Sequence, residues 1–143
     1  MQTIYFDMDG TFVNFYGVKD WLTYLLDEDT TPYEVAKPLF RMCDFARVLH
    51  RLQKTYKIGV ISWGCKNASA EYDEAVERVK REWLANHLPS VEFDEIHILH
   101  YGTPKESVAT ADDILFDDEE RNRNNWNGVS YDAVDIIKRL REM

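Results

Sequence analysis

Apolar residues in this chain gather in four short runs rich in β-branched and aromatic side chains: Thr3 to Phe6, Lys57 to Ser62, Glu95 to Tyr101 and Ile114 to Phe116. Continuous apolar runs of this length bounded by polar residues predict buried strands. The segments between them carry helical spacing. Asp20 to Leu26 predicts one turn-rich helix, and Thr31-Pro32-Tyr33-Glu34 has a capping-box pattern with proline at the first helical position. Pro38 is expected to restart a helix that runs to about Tyr56 with Leu39, Met42, Ala46, Leu49 and Leu52 on one face. Another helix is expected from Ser69 to Asn86, bounded by Pro89. Gly128 to Ser130 predicts a short edge strand, followed by a helix from Asp132 to Glu142 that buries Val134, Ile136, Ile137 and Leu140. Strands alternating with helices predict a single α/β domain over residues 1–143 with a mostly parallel sheet. The stretch between the first two strands exceeds what one crossover helix needs. Thr11 to Gly17 predicts a flap or hairpin, and residues 18–37 a small helical insert.

Composition narrows the class. A chain of 143 residues is long enough for one real core. With 17 basic against 26 acidic residues its net charge is −9, which repels polyphosphate backbones and disfavours a polynucleotide partner. Cys43 and Cys65 lack metal-type spacing, so both are expected as reduced thiols, Cys43 among core positions and Cys65 in a loop. No apolar run is long enough to span a bilayer and no signal-like stretch opens the chain, which predicts a cytoplasmic protein without a membrane partner.

The chemistry sits where the strands stop. Asp7 and Asp9 follow the first run, two apart and so able to face one crevice. Paired carboxylates repel unless a cation compensates them, and Mg²⁺, hard and oxygen-seeking, suits that role. The second run ends in the hydroxyl of Ser62, the third leads through Gly102-Thr103-Pro104 to Lys105, and the fourth delivers Asp117 and Asp118. His97 and His100 lie three apart on a strand and point to opposite faces, which argues against a shared metal. Asp112 and Asp113 precede a strand and are expected as turn residues, and His50 and His87 as structural or solvent-facing.

Carboxylate pair, hydroxyl, lysine, carboxylate pair, in that order and each at a strand end, resembles the four motifs of the haloacid dehalogenase (HAD) superfamily of aspartate-nucleophile phosphatases. DMDGT at the start, LFDDEERN later and the segment from Arg78 through Lys80 and Trp83 to Pro89 are similar to the 5′(3′)-deoxyribonucleotidase branch. The resemblance implies a Rossmann-like three-layer sandwich with a helical cap insert, and Mg²⁺-dependent hydrolysis of a small phosphomonoester such as a nucleoside monophosphate. It further implies Asp7 as the nucleophile, Asp9 as general acid and base, Ser62 on a phosphoryl oxygen and Lys105 bridging nucleophile and phosphate. Asp7, the Met8 backbone carbonyl and Asp118 would hold the metal with Asp117 in support and Asn122 bracing the outer shell. Gly10, Thr11 and Lys66, four residues after the hydroxyl, would border the substrate. The chain departs from that branch in a shorter insert and in Trp63-Gly64 after the hydroxyl, where proline is commoner.

Phe12, Phe15, Tyr16, Trp21 and Trp63 fall in segments that should border the crevice, where a base can stack, and Phe15, Tyr16 and Trp63 are the expected substrate contacts. An exposed aromatic insert would serve a homodimer as readily as a ligand. Competing readings are a capless-type polynucleotide 3′-phosphatase, a receiver-type signalling domain, whose order of acids this chain does not follow, and a non-catalytic HAD-like binding protein.

Overall fold

The computed structural model describes residues 1–143. In chain order the elements are β1 (Thr3–Phe6), β2 (Val13–Asn14), α1 (Trp21–Leu26), α2 (Thr31–Val35), β3 (Lys37–Pro38), α3 (Met42–Leu52), β4 (Lys57–Trp63), α4 (Ala70–His87), β5 (Glu95–Leu99), β6 (Ile114–Phe116), α5 (Glu120–Asn125), β7 (Ser130–Tyr131) and α6 (Ile136–Arg141). A 3₁₀ turn at Lys105–Val108 lies between β5 and β6. Five strands form one sheet in the order β5-β4-β1-β6-β7, and every pairing in it is parallel. No helix is long and apolar enough to cross a membrane.

Strand side chains alternate between faces, and the sheet's two faces are unequal. Ile4 and Phe6 of β1, Ile58 and Val60 of β4, and Ile114 and Phe116 of β6 share the main core with residues of α3, α4 and α6. The opposite face carries Tyr5, Ile61, Leu115 and Trp126, with Val108 and Ala109 packed against them. The fold is α/β and Rossmann-like, but the second outer layer of the expected three-layer sandwich is thin, supplied by the 3₁₀ turn and the segment around Trp126.

Ser69 caps α4 by accepting a hydrogen bond from the Tyr72 backbone N–H, as its place before the apolar stripe requires. The helix after Pro38 starts later than expected. Lys37 and Pro38 instead pair antiparallel with Asn14 and Val13, and the Leu39 N–H continues that contact to the Phe12 carbonyl. Proline lacks the N–H an inner helical turn needs, yet fits an edge strand. The buried face of α3 is therefore Phe45, Val48, Leu49 and Leu52, while Leu39 and Cys43 are exposed. At the other end, Asp135 takes φ 54° and α6 begins after it, so Val134 stays exposed and Ile136 and Leu140 are buried.

The insert between β1 and β4 comprises the β2/β3 ribbon, α1 and α2. It is tied to α4: Glu28 accepts from the Ser69 N–H and hydroxyl, Tyr72 Oη donates to the Asp29 carbonyl, and Trp83 Nε1 donates to the Ala36 carbonyl at 2.8 Å. Helix α1 buries none of its residues, and Leu26 is 77% exposed. Below the insert, Phe45 meets Phe6, Phe12 and Phe40 at ring-centroid distances of 5.3, 5.2 and 5.3 Å. Phe45→Ala removes the ring shared by α3, β1 and the β1–β2 loop. It is expected to lower unfolding stability by about 3–5 kcal/mol, measured from the urea midpoint.

Candidate functional site

In this strand order the chain leaves β1 toward β4 on one side, while β6 lies on the other, which makes the β1/β6 boundary the topological switch point where open α/β sheets bind ligands. Asp7 and Asp117 stand there side by side because Phe6 pairs with Phe116, and the Asp7 N–H continues the ladder to the Phe116 carbonyl at 2.9 Å. The loop that follows curls tightly. The Met8 carbonyl accepts from the N–H groups of Thr11, Phe12 and Val13 at 3.1, 3.1 and 3.0 Å. With three donors on it, that carbonyl closes the turn and is not free to face a metal, which corrects the role expected for Met8. Gly10 adopts φ +84°, and a Cβ there would collide with the Asp118 carboxylate. Glycine is needed at Gly10 on both counts.

Two buried ammonium groups bind the carboxylates together. Lys105, 3% exposed, donates to Asp7 Oδ1 at 2.9 Å and to Asp117 Oδ2 at 2.8 Å. Burial alone would lower its pKa, but Asp7 and Asp117 outweigh that and hold it above the ordinary lysine value. Trp63 steadies the loop that delivers it, since Trp63 Nε1 donates to the Thr103 carbonyl at 2.8 Å and its ring lies 5.3 Å from Lys105 Nζ. The second cation, Lys80 on α4, donates to Asp9 Oδ2, Ser62 Oγ and the Trp63 carbonyl. Sequence reasoning gave it no role. A signal was present: Lys80 stands four residues after Val76 in the stripe that buries Tyr72, Val76, Val79, Trp83 and Leu84, where a bare lysine is not tolerated.

Asp7, Asp117 and Asp118 each offer an oxygen within 4.8 Å of the others, a set that can hold a metal ion. Both oxygens of Asp117 already accept hydrogen bonds, Oδ1 from the Glu119 N–H at 2.9 Å and Oδ2 from Lys105 and from Asn122 Nδ2 at 3.1 Å. Asp118 accepts one long contact from the Thr11 hydroxyl at 3.4 Å, so it is the freer ligand. Burial and the neighbouring Asp7 push the pKa of both Asp117 and Asp118 up. Burial also raises Asp9, against the opposing pull of Lys80. The cluster thus carries more negative charge than its lysines neutralise, and an all-oxygen carboxylate set suits a hard divalent cation.

A cavity of about 440 Å³ opens above these groups, lined by Asp7, Asp9, Ser62, Lys66, Lys105 and Asn122 below and by Phe15, Tyr16, Trp21, Leu22, Leu25, Leu26, Tyr33, Trp63 and Tyr101 around its wall. Phe15 stacks on Tyr33 at 4.7 Å, so its ring is fixed by packing, while Tyr16 is half exposed at the mouth. Glu119 and Tyr33 line the cavity without having been expected there. Phe12 lies entirely in the core, away from the cavity. Both cysteines are free thiols. Cys65 is buried, and burial raises its pKa, which disfavours the reactive thiolate. No protein-family model and no curated protein matches the chain.

Raised carboxylate pKa values stabilise the protonated fold, so the cation-free protein should lose stability as pH climbs from about 4 to about 8, through the range in which Asp117 and Asp118 are forced to ionise. A bound divalent cation relieves that repulsion. The rise in Tm on adding Mg²⁺ is therefore expected to grow with pH across this range, as read by differential scanning fluorimetry, and Asp118→Asn should abolish it. Gly10→Ala, which forces an L side chain to φ +84° against Asp118, is expected to cost at least about 1 kcal/mol of stability and to weaken the same Mg²⁺ response.

Proposed function

We propose that this protein is a Mg²⁺-dependent phosphomonoester hydrolase of the HAD type that works through an aspartyl phosphate on Asp7. The observation that carries this reading is Asp7 itself: a carboxylate at the switch point, tethered by Lys105, inside a three-carboxylate cluster and on the floor of a cavity. A carboxylate nucleophile attacks a phosphate dianion only where positive charge is pre-positioned against the developing negative charge. Lys105 supplies one such charge. The donor set fits Mg²⁺, with Asp7 and Asp118 as ligands and Asp117 and Asn122 behind them, and the ion when bound supplies further charge against the phosphoryl oxygens.

Asp7 attacks phosphorus and the P–O bond to the leaving alcohol breaks, with Asp9 giving its proton to the departing oxygen. Asp9 then takes a proton from a water molecule, whose oxygen attacks the aspartyl phosphate, and inorganic phosphate leaves as Asp7 is regenerated. Ser62 donates to a phosphoryl oxygen, and Lys66, which lines the same cavity, is assigned to the phosphate side of the substrate. The insert of residues 18–37 acts as the cap. Its Trp21, Leu22 and Tyr33 with Phe15, Tyr16 and Trp63 form an apolar wall suited to a flat ring, which favours a nucleoside monophosphate over a sugar phosphate. A polynucleotide 3′-phosphatase is disfavoured by the net charge of −9 and by α1 standing over the floor.

Phosphate release measured with Mg²⁺ over deoxy- and ribonucleoside monophosphates, sugar phosphates, p-nitrophenyl phosphate and a 3′-phosphorylated oligonucleotide tests the reading. Nucleoside monophosphates are expected to be preferred. Asp7→Asn should lower turnover by on the order of 10³-fold or more and chelation of the metal should abolish it. Absence of turnover on every ester would overturn the proposal, and turnover of the oligonucleotide alone would overturn its substrate class.

A further inference from the structure

Lys80 is the most deeply buried cation in the molecule, 1% exposed, with its ammonium 5.2 Å from the centroid of the Tyr33 ring. An ammonium has three donors and no lone pair. All three are engaged, with Asp9 Oδ2 at 2.8 Å, Ser62 Oγ at 2.7 Å and the Trp63 carbonyl at 2.8 Å. Unlike Lys105, which bridges Asp7 and Asp117, it touches neither the nucleophile nor the metal cluster, and it has no donor left for a phosphate.

The direction of these bonds has chemical consequences. Because Lys80 only donates, Ser62 Oγ must accept from it, which leaves the Ser62 O–H to donate elsewhere, and Ser62 lines the cavity. Asp9 Oδ2 likewise accepts, and because the carbonyl-type oxygen of a carboxylic acid accepts better than its hydroxyl oxygen, this bond favours a proton carried by Asp9 on Oδ1. We infer that Lys80 is a positioning residue that orients both groups at once, holding Ser62 as a hydrogen-bond donor and fixing Asp9 by one oxygen so that the other, which Lys80 does not hold, is the one that passes the proton. This inference rests on the phosphatase reading and adds a leaving-group-specific role to it.

The two steps respond differently to the loss of Lys80. An alkoxide cannot depart without a proton, whereas p-nitrophenolate can, and kcat/KM reports the steps up to departure of the alcohol, before Asp9 activates water. Lys80→Met is therefore expected to lower kcat/KM for an alkyl phosphomonoester by on the order of 10²-fold or more, the scale of general acid catalysis. On p-nitrophenyl phosphate the loss should be about 10-fold at most on the same reasoning. In an Asp9→Asn background, Lys80→Met should leave the alkyl-to-aryl ratio of kcat/KM unchanged. Should Lys80→Met not fold, Lys80→Arg serves, because a planar fork keeps the charge but cannot reproduce three divergent donors, and the same split is expected at smaller size. Equal losses on both esters from a folded variant would assign Lys80 a structural or phosphate-binding role and overturn the inference. Wild-type protein that hydrolyses neither ester would overturn the phosphatase reading and the inference with it.

Discussion

Charges in the interior of this protein are buried in company. Asp7, Asp9 and Asp117 stand at the C-terminal edge of the sheet with two ammonium groups threaded among them, Lys105 between Asp7 and Asp117 and Lys80 against Asp9. Removing any one charge from such a set leaves its partner buried and uncompensated, at a cost of several kcal/mol. The arrangement therefore stands or falls as a whole, and the surrounding elements must deliver five side chains from β1, β6, α4 and the loop after β5 to one place. Asp118 adds a negative charge that neither lysine contacts, and this surplus is what a cation would relieve.

The parallel sheet makes that convergence possible. Parallel strands end at a common edge, so Asp7, Ser62 and Asp117 arrive together, and the pairing of Phe6 with both Val60 and Phe116 sets their relative heights. The unequal layers matter as well. The thick helical side brings α4, and with it Lys80, under the site, while the thin side carries the loop of Lys105, held by Trp63 through the Thr103 carbonyl. Each lysine thus reaches the carboxylates from a different face of the sheet.

Above the charged floor the chemistry changes character. Packing of Phe15 on Tyr33 and Trp21 makes the wall of the cavity rigid and apolar, whereas Leu22 and Leu26 of α1 reach it from a helix with no buried residue. A site of this kind offers the two ends of a ligand different physics: charge and hydrogen bonding at the floor, stacking and desolvation along the wall. The proposed phosphatase activity uses both.

Strand positions and the order of the carboxylates, the hydroxyl and Lys105 were legible in the chain because each depends on residues near in sequence: apolar runs and turn signals. The start of α3 was not, because Pro38 pairs with Val13 across the insert, and neither was the exposure of Cys43, which follows from that shift. The Met8 carbonyl was misassigned because its fate depends on how the loop closes upon itself. Lys80 was missed because one lysine in a helix of many charged residues looks solvated until α4 is laid against β4. By itself, then, the sequence determined the four main strands, the long helix after Ser69 and which side chains end each strand, since those follow from local periodicity, while β3 and α5 did not show in it. Tertiary structure alone decided which charges neutralise one another and which oxygen each one holds, because hydrogen-bond partners distant in sequence are chosen by packing.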